Sequence, residues 1–420
     1  MAVSLYTFSV LSILFYYIEA TPICINSVLE INKLVCSPGN YSELILTRGI
    51  VSDNNKTTSI ILSACRISDV DFEAFNRLPA LRHLDLSKNT ITTLKLGVLD
   101  GFRALTHLNL SYNYLKTFPL GLFDQKPNLI NLDVSSNRID TLVLGVFDPL
   151  RKLEHLDLSS NSLVGDNVDP YLFDRSRKIK YLSFSRNNMN NANADLLHAV
   201  SELQTLKLEE CELEEIPEFI IVRSFKVLKN LHLSGNLLKE VKNSHFSNMS
   251  TLLTLDLSGN HIENVEENSF KSLNNLRSID LRNNLLKVIP ETLFQNIPAL
   301  SNIDMSHNLI EYVPVNAFRG TKVRNLNLSN NQFTYLQDNF CLELRNSGAI
   351  LTKFYFNDNP WQCSCLRDII NEVKKYEIIY NTAKYDGKHP VCVVSDKNNC
   401  QRHFEYSKEF LNLHVSEINN

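Results

Sequence analysis

The phrase LRHLDLSKN, Leu81 to Asn89, returns twenty-four residues later as LTHLNLSYN. The pattern L-x-x-L-x-L-x-x-N/C can be laid along the 420-residue chain thirteen times. Its closing residues are Cys65, Asn89, Asn113, Asn137, Asn161, Asn187, Cys211, Asn236, Asn260, Asn284, Asn308, Asn331 and Asn359. Eight of the twelve intervals are 24 residues, and the others are 26, 25, 23 and 28. A fixed period of this length marks a solenoid. Each repeat is one coil that cannot bury its apolar face alone and must stack on its neighbours.

The spacing has a physical reason. Leu81, Leu84 and Leu86 point into the coil while the alternating residues face outward, as a short strand requires. Stacked coils then set these strands parallel, about 4.8 Å apart. The asparagine stands where the backbone turns, and its amide carries both donor and acceptor for the stranded groups of its own coil and the next. Cys65 and Cys211 fill the same slot as small buried residues. A second ladder runs behind the first: Phe75, Phe123, Phe147, Phe173, Phe246, Phe270 and Phe294 each precede a closing asparagine by fourteen residues. Phe318 and Phe340 extend it with altered offsets, Leu99 and Leu197 fill its gaps, and the rings should stack along the back of the coils.

A solenoid needs caps at both ends. The last strand runs into NPWQCSC, followed by Cys392 and Cys400. This stretch resembles the C-terminal cysteine-rich cap of extracellular leucine-rich-repeat proteins, a family that includes Toll-type receptors, Slit-like guidance proteins and secreted relatives such as the acid-labile subunit. The resemblance implies an α/β solenoid: a leucine-rich-repeat horseshoe with a parallel concave β-sheet and disulfide-bonded caps. It implies Cys363–Cys392 and Cys365–Cys400 pairs, and it makes Cys24 and Cys36 a reduced N-terminal cap. The expected organisation is a signal peptide over 1–20, an N-terminal cap over 21–50, about twelve repeats over 51–356, and a C-terminal cap with a short tail over 357–420.

The first twenty residues form an apolar block ending in Ala20. They read as a secretory signal, with a signal anchor as the alternative. The tail is too polar for a lipid anchor, and no later stretch approaches a membrane span, so the mature chain is expected outside the cell. Nine cysteines leave an odd one. Cys65 and Cys211 lie six coils apart, roughly 29 Å at sheet spacing, beyond disulfide reach. Cys341 is then either an intermolecular bridge or a buried thiol. Sequons at Asn40, Asn55, Asn109, Asn248 and Asn327 fit an exported glycoprotein, and glycans at Asn109 and Asn327 would stand on the strand face.

A net charge of -4 gives no reason to expect nucleic acid. The chain lacks G-x-S-x-G, H-E-x-x-H, Walker and Rossmann patterns, so neither an enzyme nor a cofactor is expected. Aspartates at the fifth strand position, with His83, His107 and His155 at the third, follow repeat geometry rather than convergence on a metal. Coils six to eight depart from the common phrase. IKYLSFSRNN and LQTLKLEEC bring Lys180, Tyr181, Arg186, Lys207, Glu209 and Glu210, a mixture of tyrosine, arginine and charge typical of contact surfaces. Drift of the repeat is the alternative.

The reading is therefore a secreted recognition protein that binds a protein or glycan on its concave face. A membrane receptor or a second copy of the chain is among the candidate partners. Innate immunity, adhesion and developmental signalling are the candidate settings. A matrix protein of the small leucine-rich proteoglycan kind is the alternative.

Overall fold

The computed structural model describes residues 21–52, 54–75, 78–221, 225–385, 391–394, 399–403, 408 and 410–413. The expected signal segment and the end of the tail lie outside them. The chain forms two units, Met1–Leu203 and Gln204–Asn420.

The first unit opens with an antiparallel hairpin of β1 (Ile23–Asn26) and β2 (Lys33–Ser37), whose register sets Cys24 opposite Cys36. Parallel pairing continues from β2 through β4 (Ser59–Ile61), β6 (His83–Asp85), β7 (His107–Asn109), β8 (Asn131–Asp133), β9 (His155–Asp157) and β10 (Tyr181–Ser183). Between them, β3 (Leu44–Leu46) and β5 (Ile67–Val70) form a small second sheet.

The second unit repeats the plan. Its parallel strands are β11 (Thr205–Lys207), β12 (Asn230–His232), β14 (Thr254–Asp256), β16 (Ser278–Asp280), β17 (Asn302–Asp304), β18 (Asn325–Asn327) and β19 (Lys353–Tyr355). A minor pair, β13 (Glu240–Val241) and β15 (Asn264–Val265), lies between them in sequence.

From β4 onward each strand of the main parallel row in either unit is three residues long with its middle leucine, isoleucine or phenylalanine buried, as in His83–Asp85, Thr254–Asp256 and Lys353–Tyr355. That is the alternation the repeat predicts. The asparagine ladder satisfies the turns, with one difference from expectation: its second partner is the preceding coil, not the next. Asn113 Nδ2 donates to the Leu110 carbonyl of its own coil (3.0 Å) and to Leu86 of the coil before (2.9 Å). Its Oδ1 accepts the Ile91 amide (3.1 Å). Asn260 and Asn284 repeat these bonds in the second unit. The direction follows from the chain: the asparagine closes its strand after the previous coil has left a carbonyl and an amide facing it.

The phenylalanine spine is also present. Phe123, Phe147 and Phe173 stack at 6.4 and 6.1 Å in the first unit. Phe246, Phe270, Phe294 and Phe318 stack at 6.0, 6.0 and 5.8 Å in the second. Phe340 stacks on Phe354 at 5.7 Å, and Leu99 and Leu197 are buried.

Irregular intervals become helical turns between strands. The 26-residue coil holds a 3-10 turn at Gly165–Asn167, where an added Cβ would meet the Asn190 carbonyl at 2.5 Å. The 25-residue coil holds α1 (Glu218–Ile221), the 23-residue coil a 3-10 turn at Val315–Phe318, and the 28-residue coil α2 (Phe340–Asn346).

The structure joins Cys24 to Cys36, Cys363 to Cys392 and Cys365 to Cys400. In the C-terminal cap Trp361 is buried and donates from Nε1 to the Phe356 carbonyl (2.8 Å). The buried Gln362 exchanges two hydrogen bonds with the backbone of Gln401, and α3 (Cys363–Lys375) follows. Cys341 lies inside α2 with 4% of its surface exposed.

Candidate strand-face binding site

The outward positions of the parallel strands make a half-exposed row in each unit. The six residues singled out from the repeat divide between the units: Lys180, Tyr181 and Arg186 belong to the first, and Lys207, Glu209 and Glu210 to the second.

In the first unit Tyr181 begins β10, and register sets it beside His155, with the rings stacked at 4.0 Å and 8°. Lys180 Nζ lies 2.9 Å from Glu154 Oε2. Farther along, His83 and His107 stack at 4.4 Å. Burial lowers the pKa of His83, His107 and His155, so these rings are biased towards the neutral form. They border a shallow cleft of about 260 Å³ shared with Asp85, Asn109 and Asp133.

Arg186 and Glu210 occupy the eighth repeat position, where the chain passes through the left-handed region, with φ of 58° and 54°. That conformation recurs at Lys88, Tyr112, Ser136, Ser160, Gly235, Gly259, Asn283, His307, Asn330 and Asp358. Glycine and asparagine adopt it at least cost. The larger side chains therefore sit there against local preference, and the turn projects them outward: both are exposed.

In the second unit Lys207 Nζ is 3.7 Å from Glu209 Oε1, and His232 Nδ1 is 3.6 Å from the same oxygen. His232 pairs in register with Lys207 on one side and Asp256 on the other. Burial works against the charge of Asp256, but neighbouring His232 and the Ser258 hydroxyl and amide outweigh it and hold the carboxyl at about 2. Asp280 behaves oppositely. Burial, reinforced by Asp256 and Asp304, outweighs the help of Arg282 and raises it to about 6. Beside this row lies a cleft of about 470 Å³ lined by Ser258, Arg282, Asp304 and His307 among others. A second cleft of about 540 Å³ at the cap end is walled by Tyr355 and Tyr380.

His232 and Asp256 escaped the sequence reading as a site, because each looks ordinary within its own coil. The signal lies across coils: histidine where aspartate is common, a glutamate in place of serine one coil before, and aspartate one coil after. Of the sequons, Asn40, Asn55 and Asn248 are exposed. Asn109 and Asn327 are half-buried, each accepting the amide and hydroxyl of the serine two residues on. Among the described residues no helix is long and apolar enough to cross a membrane.

Residues 55–115, 110–163, 226–286 and 274–333, a little over half of the chain, match the family model described as Leucine rich repeat. Among solved structures, the leucine-rich repeat domain of APL1 is similar at 22% identity and a TM-score of 0.62, with 85% of this chain and 89% of that one covered. A chain of the LRIM1/APL1C complex is similar at 23% identity and 0.61, covering 90% of this chain and 69% of that one. A chain of the Toll–Spatzle complex of Drosophila gives 18% and 0.59, covering 86% and 63%. These identities speak for the fold. No curated protein matches the sequence.

Proposed function

The chain belongs to the leucine rich repeat family, and from that premise we propose that it is a secreted, non-enzymatic recognition protein. Its ligand is a protein or glycan, held on the concave face of the repeat sheet, in innate immunity, adhesion or developmental signalling. One observation carries this reading: rows of half-exposed strand residues, fixed from beneath by buried leucines and the asparagine ladder, change composition where Lys207 and His232 replace the usual aspartate and Tyr181 opens β10. A surface so held loses little freedom on binding. Two of the similar structures are complexes with protein partners, LRIM1 with APL1C and Toll with Spatzle. Three intrachain disulfides accord with an oxidising compartment.

The test is a screen of the purified chain against arrays of extracellular proteins and glycans, followed by affinities for each saturable hit. Lys207→Glu and Tyr181→Ala each change an outward side chain and leave the core intact. At least one should weaken a genuine hit by about fivefold or more, the loss expected for an anchoring contact, with an unchanged melting temperature. Equal affinity for wild type and both variants would place the contact elsewhere.

A further inference from the structure

Three donors of different kinds converge on the strand face of the second unit. His232 Nδ1 lies 3.6 Å from Glu209 Oε1 and 3.9 Å from Asp256 Oδ2. One donor atom from each residue lies within 4.8 Å of the other two, and among the described residues this is the sole such group of three. The side chains are between about a fifth and a third exposed, at 29%, 23% and 21% for Glu209, His232 and Asp256. An ion can therefore reach them from solvent.

The arrangement is supported from behind. Asp256 Oδ1 accepts the Ser258 amide (3.0 Å) and hydroxyl (2.7 Å), which fixes the carboxylate with Oδ2 towards His232. Outer hydrogen bonds of this kind orient metal-binding carboxylates in proteins.

We propose that Glu209, His232 and Asp256 bind Zn²⁺ or a similar first-row divalent ion, leaving a further coordination position open to water or to a donor from another molecule. One imidazole with two carboxylates is a donor set for this class, and the two negative charges match the ion. Ca²⁺ and Mg²⁺ favour oxygen alone. Donors about 2.0–2.1 Å from a tetrahedral zinc stand roughly 3.3 Å apart. The two separations from His232, 3.6 and 3.9 Å, exceed that value by well under 1 Å. Lys207 Nζ, 3.7 Å from Glu209 Oε1, is the cation already drawn to this carboxylate, and the metal must displace it.

The inference holds whatever macromolecule the face binds, because its test uses the metal alone. Metal-free full-length protein would be titrated with Zn²⁺ by calorimetry, and with Co²⁺ by visible absorption. One saturable equivalent is expected, weakened at least about tenfold in His232→Ala and in Asp256→Asn, in line with the sensitivity of metal sites to their ligands and supports. Asparagine fills the equivalent fifth position at Asn109 and Asn327, so Asp256→Asn fits the fold and isolates the lost charge. Lys207→Met should tighten binding, which no unfolding artefact can mimic. Absence of a saturable equivalent, or equal affinity in wild type and His232→Ala, would overturn the site.

Discussion

At the fifth repeat position one side-chain oxygen does the same task in most coils. Asp85, Asp133, Asp157, Asp256 and Asp304 each present Oδ1 to the amide two residues ahead, and Asn109 and Asn327 do the same. In these coils the bond is made with the charge or without it. Asp280 bonds the Arg282 amide in the same way (3.0 Å), yet it is raised to about 6 by burial and by its carboxylate neighbours. Its folded pKa lies above the ordinary value, so the folded state holds the proton more tightly. The stability from that proton is present below about pH 4 and is lost as pH rises through 6. Asp280→Asn keeps the acceptor and removes the charge. It should stabilise the protein at pH 7 by about 1–3 kcal/mol, the energy of a shift of this size, seen as a higher urea midpoint. The advantage should shrink towards zero at pH 4, and a gap that stays constant between pH 4 and 7 would contradict the account.

At the scale of the element, the phenylalanine spine tests whether the back of the coil carries stability. Phe270 is buried between Phe246 and Phe294 at 6.0 Å on both sides. Phe270→Ala should cost about 3–5 kcal/mol, as a large cavity in a packed core does. The urea transition can be followed through the fluorescence of Trp361, the single tryptophan. Phe72, 60% exposed, is the control, and its alanine variant should unfold within about 0.5 kcal/mol of wild type. The spine was legible in the sequence because stacked coils place residues at equal offsets on one line, and the same held for the leucines and closing asparagines. The left-handed eighth position was not legible, since Lys88, Tyr112, Arg186 and Glu210 share no chemistry that announces it. Nor was the Glu209–His232–Asp256 group, because its members sit at two different repeat positions in three coils. Only the register of β11, β12 and β14 brings them together.

For the whole molecule, cysteine accounting becomes a prediction about assembly. Six cysteines close bonds within the chain, which leaves Cys65, Cys211 and Cys341 as thiols. Cys65 and Cys211 have no exposed surface and Cys341 has 4%. Burial raises Cys65 to about 11, with Asp85 adding to the shift. Burial also raises Cys341, and the adjacent Glu372 carboxylate opposes a second negative charge there. The Cys341 amide donates to Glu372 Oε2 (3.0 Å), tying α2 to α3. Thiol exchange proceeds through an accessible thiolate; none of the three is accessible, and burial also disfavours the thiolate at Cys65 and Cys341. Iodoacetamide should therefore leave all three unlabelled in the native protein and label all three once it is unfolded in urea. Light scattering should return the same native mass for wild type and Cys341→Ser. A disulfide-linked dimer that disappears in Cys341→Ser would mean that α2 opens far enough to expose the thiol, and the Cys341–Glu372 contact would then be a latch rather than a fixed part of the cap.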